Sequence, residues 1–160
     1  MVESVELRQI MRRWPTGVAI LTTGDQNRRH GMTVNSFTSI SLDPPAIAVT
    51  LANSTRSKKL VDEIGYFGIN LLDETQVEVS ERFAGKIDES EDRYNGLEVT
   101  LGLFAVPLLK DAAAFIECKV MNKIELLNST LYVGEVLFGA KLEDRMPLVY
   151  FNRDYHRIEK

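Results

Sequence analysis

Apolar positions change their period several times along this chain. From Val2 to Arg13, Val5, Leu7, Ile10 and Met11 recur at near-helical spacing, with Ser4 as the expected cap, and Pro15 and Gly17 end the run. "VAILTT" (Val18–Thr23) is rich in β-formers, "GDQNRR" (Gly24–Arg29) reads as a polar hairpin loop, and "HGMTVNSF" reads as the return strand. "DPP" (Asp43–Pro45) breaks the chain. "AIAVTLA" (Ala46–Ala52) is a continuous apolar run, predicted to be a strand buried on both faces. "NSTRSKKLVDEIG" predicts a helix with Leu60, Val61 and Ile64 on one side and Gly65 as its C-cap. "YFGINLL" (Tyr66–Leu72) predicts a strand, and "DETQVEVSERFAG" a helix capped by Asp73 and stopped at Gly85. "KIDESEDRYNG" reads as an exposed loop. The last third holds three β-type stretches, "AAAFIECKVMNKIELL", "STLYVGEVLFGAKL" and "PLVYFNRDYHRI".

These patterns add up to about six or seven strands and three short helices. Strands and helices do not alternate regularly, which argues against a parallel doubly wound sheet. The prediction is a mainly β fold: a small antiparallel barrel with helices flanking it, whose closure removes exposed strand edges. The chain shows no internal repeat, and its 160 residues fit one domain over 1–160.

Composition narrows the function. Apolar residues make up 44% and charged residues 26% of the chain, so a buried core needs no staples. The net charge of −4 supplies no global field to recruit nucleic acid or an acidic membrane. The one cysteine, Cys118, excludes an intramolecular disulfide and any CxxC motif. Its setting, "AFIECKVMN", predicts a buried inert thiol, and the whole suits a reducing cytoplasm. "MVESVELRQIMRRWPTG" lacks the apolar stretch of a signal peptide, and no apolar run reaches the roughly 18 residues of a membrane span.

Self-sufficient catalytic machinery is missing from the pattern. His30 and His156 are the only histidines, neither with ligand-spaced neighbours, so no metal site is expected. There is no GxSxG, no P-loop and no GxGxxG. An enzyme of this kind needs an organic cofactor to carry the reaction. Two segments could hold one. In "HGMTVNSFTSISLDPPAIAV", Thr33, Asn35, Ser36 and Ser39 could match the edge of a planar heterocycle; a plain polar turn is the competing reading. In "NSTRSKKL", Ser54, Thr55 and Ser57 precede a helix with Arg56 among them. Free N–H groups, a positive dipole end and a guanidinium together welcome phosphate, against the plain reading of a helix cap with a solvated basic turn. Only the strand Ala46–Ala52 separates the two segments, so a ring site and a phosphate site could lie along one nucleotide.

The blocks "PTGVAILTT", "GMTVNSFTSISLDPPAIAV", "NSTRSKKL", "ERFAG", "EDRYNG", "LYVGEV" and "PLVYFNRDYHRI" run in order from Trp14 to Ile158. In them the chain resembles the flavin reductase family, small NAD(P)H:flavin oxidoreductases that supply reduced flavin to two-component monooxygenases. The resemblance implies an FMN-binding split barrel, a Greek-key β-barrel, usually a homodimer with flavin sites near the subunit interface. It implies FMN or FAD as cofactor and NADH or NADPH as electron donor. By the same resemblance, Thr33, Val34, Asn35 and Ser36 would contact the flavin ring, largely through backbone groups, with Ser39 nearby. Thr50, Leu51 and Ala52 would run beside the ring and ribityl chain. Asn53, Ser54, Arg56 and Ser57 would bind the phosphate, and Phe83 would pack near the flavin or the nicotinamide side. Many relatives carry a histidine in a "DHTIFVG"-like block associated with nicotinamide; here the block reads "NSTLYVG", and Ser129 stands in that place. Tyr155 and His156 are further candidates for the nicotinamide side. An FMN-binding electron-transfer protein without nicotinamide oxidation of its own is the alternative function, and a binding module without redox turnover a third.

Overall fold

The computed structural model describes residues 2–86, 91–142 and 144–158. In chain order the elements are α1 (Ser4–Met11), β1 (Thr16–Gly17), β2 (Ala19–Gly24), β3 (Arg29–Val34), β4 (Phe37–Leu42), β5 (Pro45–Ala52), α2 (Arg56–Ile64), β6 (Tyr66–Leu71) and α3 (Val77–Phe83). Then follow β7 (Val99–Leu101), β8 (Pro107–Leu109), β9 (Ala114–Glu125), β10 (Ser129–Lys141), β11 (Val149–Phe151) and β12 (Asp154–His156).

Seven strands form one antiparallel sheet in the order β3-β2-β6-β9-β10-β5-β4. Its two end strands, β3 and β4, are consecutive in the chain, with only Asn35 and Ser36 between them. A link that short forces the sheet to curl until its edges meet, which is what makes it a barrel. Ser36 ties the corner to β5: its carbonyl accepts from the Thr50 N–H at 3.3 Å, and its Oγ donates to the Thr50 carbonyl at 2.8 Å. Smaller sheets, β1-β11-β12 and β7-β8, flank the barrel.

Strand alternation fills the barrel. Ala19, Leu21, Ile47, Val49, Leu51, Phe67, Ile69, Cys118 and Tyr132 form the inner core, and Val61 of α2 packs into it. The other face of β2 is buried too: Val18 and Ile20 join Phe83, Tyr94 and Leu148 in a second cluster under α3. That double burial explains the uninterrupted apolar run of "VAILTT". The expected two-faced burial of β5 holds from Ala46 to Val49. Cys118 is buried as expected, and burial pushes its thiol up to about 12.

Some local expectations change. Ser4 is the first helical residue of α1; Glu3 occupies the N-cap and makes no side-chain cap bond. None of the apolar side chains of α1 is buried by the described residues. Asp73 does not cap α3, whose N-cap is Gln76. Asp73 is fully buried instead, accepting from the Thr75 N–H and from Arg145. The loop expected to be exposed carries Tyr94 into the core at 4% exposure, while its residues 87–90 lie outside the described residues. Among the described residues, no helix is long and apolar enough to cross a membrane.

Candidate functional site

Three connected clefts run along one side of the barrel. The first holds about 700 Å³ and lies between β3, the start of α2, the end of α3 and the 91–94 segment. That volume is within the usual range for a cofactor-sized ligand. Thr55 starts α2: its extended backbone and its Oγ1, which accepts from the Lys58 N–H at 3.2 Å, form the N-cap. This leaves the N–H groups of the first turn beside the cleft, where a helix end attracts anions. Arg56 is exposed there and makes no hydrogen bond or ion pair with the described residues.

Ser57 is fully buried, and its Oγ lies 2.8 Å from Nδ1 of His30 on β3. Burial, reinforced by the charges of Arg93 and Arg56, lowers the His30 pKa from 6.5 to about 4. The imidazole is therefore neutral at neutral pH, and the pair offers hydrogen bonding without adding charge.

The far wall is fixed by partnered side chains. Nη1 of Arg93 donates to the carbonyls of both Gly31 and Phe83 at 3.1 Å, clamping the 91–94 segment to β3 and α3. Arg29 pairs with Asp92 at 2.6 Å and lies 4.5 Å over the Tyr94 ring. Burial opposes ionisation of Asp92, but the Tyr94 N–H and Arg29 outweigh it and hold the carboxyl below its ordinary range. The Tyr94 hydroxyl donates to the His30 carbonyl at 2.8 Å, and burial pushes its pKa up. Phe83 meets Tyr94 edge-on at 5.1 Å. Gly31 permits this packing: a Cβ there would lie 2.6 Å from the Phe83 ring.

Thr33 and Ala84 connect the first cleft to a second, of about 340 Å³, lined also by Asn35, Ser80, Tyr150 and Tyr155. Thr33 Oγ1 donates to the Ser80 carbonyl at 2.5 Å, and Ser80 Oγ lies 2.9 Å from the Tyr155 hydroxyl. Asn35 and Tyr150 lead on to a third cleft of about 260 Å³.

The residues singled out in the sequence distribute unevenly over this surface. Thr33, Ser54, Arg56, Ser57 and Phe83 line the first cleft, and Thr33, Val34, Asn35 and Tyr155 line the second. Thr50, Leu51 and Ala52 run along β5, with the Leu51 side chain wholly inside the barrel. Ser39 is exposed on β4 and lines none of the three clefts. The Asn53 side chain is taken up by the β9–β10 turn, donating to the Leu126 carbonyl at 3.3 Å and accepting from Thr130 at 2.8 Å. Ser129 pairs with Ala52 at the start of β10 and lines none of the three clefts. His156 follows Tyr155 in β12 and so faces the opposite way; its Nε2 lies 3.2 Å from the Phe151 carbonyl. Conversely, His30, Arg29, Arg93, Tyr94 and Ser80 shape the clefts, and no role was read for them in the sequence. "EDRYNG" and "ERFAG" marked two of the segments, but not which side chains turn inward.

Comparison with known proteins gives one consistent result. Residues 11–159 match the model of the flavin reductase like domain. The NADH-dependent flavin reductase StyB of Pseudomonas fluorescens is 35% identical over 158 residues, covering 97% of this chain and 90% of that protein. The reductase component of the FADH(2)-dependent resorcinol hydroxylase of a Rhizobium species is 35% identical over 151 residues, covering 92% and 83%. A Rhizobium meliloti relative is 39% identical over 131 residues, and there the chain spans 41% of the longer protein. Among solved structures, the flavin reductase HpaC complexed with NADP+ superposes with a TM-score of 0.87 at 34% identity, over 98% of each chain.

Proposed function

The chain belongs to the flavin reductase-like family, and on that premise we propose that it transfers hydride from NADH or NADPH to FMN or FAD and supplies the reduced flavin to a partner monooxygenase. The carrying observation is the first cleft: one unpaired guanidinium, Arg56, at a helix N-terminus, opening through Thr33 into an aromatic-lined second cleft.

This donor set fits a flavin phosphate. Arg56, the Ser54 hydroxyl and the first-turn N–H groups of α2 would hold it. His30 and Ser57 would add a neutral hydrogen bond at the floor without a second buried charge. Thr33 and the Asn35–Ser36 corner would present backbone groups to the ring edge, and Phe83 would exclude water from one side of it. Tyr155, held by Ser80, would border the space open to the nicotinamide. The flavin, when bound, supplies the two-electron chemistry, and the protein's part is to bind, orient and exclude solvent. No protein acid or base is required for hydride transfer itself. We assign the whole of 1–160 to this one unit, working as a homodimer in the cytoplasm; the exposed apolar side chains of Leu7 and Ile10 on α1 support the dimer.

Flavin titration followed by nicotinamide oxidation tests the reading. Flavin binding with turnover is expected. Absence of flavin binding sinks it, and binding without oxidation of either nicotinamide favours the electron-transfer alternative. Arg56→Ala should weaken FMN about tenfold while sparing riboflavin; equal loss of both overturns the phosphate assignment. Sedimentation at micromolar concentration should give a mass of two chains.

A further inference from the structure

One polar pair in the first cleft has a proton that can be placed. Ser57 is wholly buried, and Nδ1 of His30, 2.8 Å from its Oγ, is the only hydrogen-bond partner of that hydroxyl among the described residues. A buried hydroxyl proton left without an acceptor is costly. Ser57 has no exposed surface through which solvent could take the proton, and no described carbonyl or carboxylate takes it. The hydroxyl therefore donates to Nδ1. A neutral imidazole that accepts at Nδ1 carries its own proton on Nε2. The reverse arrangement, with Nδ1–H donating to Oγ, strands the hydroxyl proton.

The surrounding charges keep the ring neutral. The ionisable groups facing His30 are Arg29 beside it on β3, Arg56 at the start of α2, and Glu91, Asp92, Arg93 and Tyr94 of the segment across the cleft. The end of α3 brings only Phe83 and Ala84, and the β2 partner Thr23 does not titrate. Asp92 is spent on Arg29 at 2.6 Å, and burial keeps the Tyr94 hydroxyl protonated. Burial and the charges of Arg93 and Arg56 oppose a further proton on the ring. The His30 backbone is fixed as well, paired with Thr23 and accepting from the Tyr94 hydroxyl at its carbonyl. Nε2 makes no hydrogen bond with the described residues, so it is the ring nitrogen left for a ligand in the cleft.

We infer that His30 is a specificity-determining residue for the flavin phosphate, donating to it from Nε2–H as a neutral group, and that Ser57 is its positioning residue, fixing the tautomer from behind without touching the ligand. The inference rests on the reductase reading, because that reading supplies the phosphate. Arg56 then supplies charge, and His30 supplies a directed bond without a second cation. Hydrogen bonds to ionised acceptors are roughly twice as strong as neutral ones, so the same N–H favours a phosphate over the terminal hydroxyl of a dephosphorylated flavin.

The chain has two histidines, so nitrogen-15 NMR of the ligand-free protein at neutral pH reads the tautomer directly, with His30→Gln assigning the signals. The expected spectrum has His30 unprotonated at Nδ1 and protonated at Nε2. FMN should shift the Nε2 resonance and leave the ring neutral, and riboflavin should shift it far less. His30→Phe should weaken FMN about tenfold while sparing riboflavin. Ser57→Ala should mix the two tautomers and weaken FMN about threefold. The Nδ1–H tautomer, or an imidazolium with or without FMN, overturns the inference, as does equal loss of FMN and riboflavin in His30→Phe. An unmixed tautomer in Ser57→Ala overturns the positioning role. Any of these results in a protein that still reduces flavin leaves the reductase reading standing. A protein that binds no flavin sinks that reading and the ligand assignment with it, even where His30 is the Nε2–H tautomer.

Discussion

The first and third clefts are both lined by arginines, but they use them differently. In the first, Arg29 is paired with Asp92 and Arg93 is spent on two carbonyls, so only Arg56 is left for a ligand. In the third, the guanidinium groups of Arg8, Arg12 and Arg153 have no partner among the described residues. A partnered arginine builds a wall, and an unpartnered one keeps its donors open. Charge counted from the sequence cannot separate the two uses, since both are plain Arg at exposed-looking positions.

That contrast can be broken at several points. Gly31→Ala should have the largest effect, because the new Cβ meets Phe83 at 2.6 Å and Tyr94 Oη at 3.0 Å. Overpacking of this kind costs about 1–3 kcal/mol, so the melting temperature should drop and flavin binding should fall with it. A variant as stable as the parent would show that the Phe83–Tyr94 wall is loose. Arg93→Ala comes next: it removes the Nη1 donor shared by the part-buried Gly31 and Phe83 carbonyls and unclamps the 91–94 segment. Denaturant melts should show a loss of about 1–2 kcal/mol.

A pH effect follows from His30. Its folded pKa of about 4 lies below the ordinary 6.5, so the unfolded chain binds the proton more readily. Stability from this group is present above pH 6.5 and is lost as the pH falls towards 4. His30→Gln should flatten that part of the pH–stability profile; an unchanged slope would assign it to other groups. The smallest effect is expected for Arg56→Ala, which should leave the melting temperature of the ligand-free protein within about 0.5 kcal/mol of the parent, whatever it does to phosphate. A large loss there would place Arg56 among the wall residues.

The sequence carried the barrel better than its attachments. β2, β5 and β6 are nearly continuously apolar because most of both their faces is covered, β9 and β10 are long with one face largely open, and the positions of all five were legible from periodicity. The β7–β8 hairpin was not read, since "VTLGLFAVPLL" gives only three residues to each strand. In the site, the cap at Thr55 and the exposed Arg56 were legible because helix starts carry local signals. His30 was not: its contact with Ser57 spans 27 positions and depends on β3 crossing the start of α2. Asn53 and His156 are the converse case, polar side chains whose segments the sequence marked but whose hydrogen bonds go to backbone carbonyls of neighbouring turns and strands. Which way a side chain turns is settled by tertiary register, and a motif alone does not encode it.

The Asn35–Ser36 corner has a mechanical consequence. It is the only covalent bridge between the two edge strands of the barrel, so it works as the hasp of a ring. A longer corner would let the edges part and would move the ring-contact groups with them. In the binding mode proposed above, binding there and keeping the barrel shut would be one act: a flavin across the hasp would resist its opening. In the same binding mode, variation in ligand preference would fall at the α2 start, where side chains can change without lengthening the hasp.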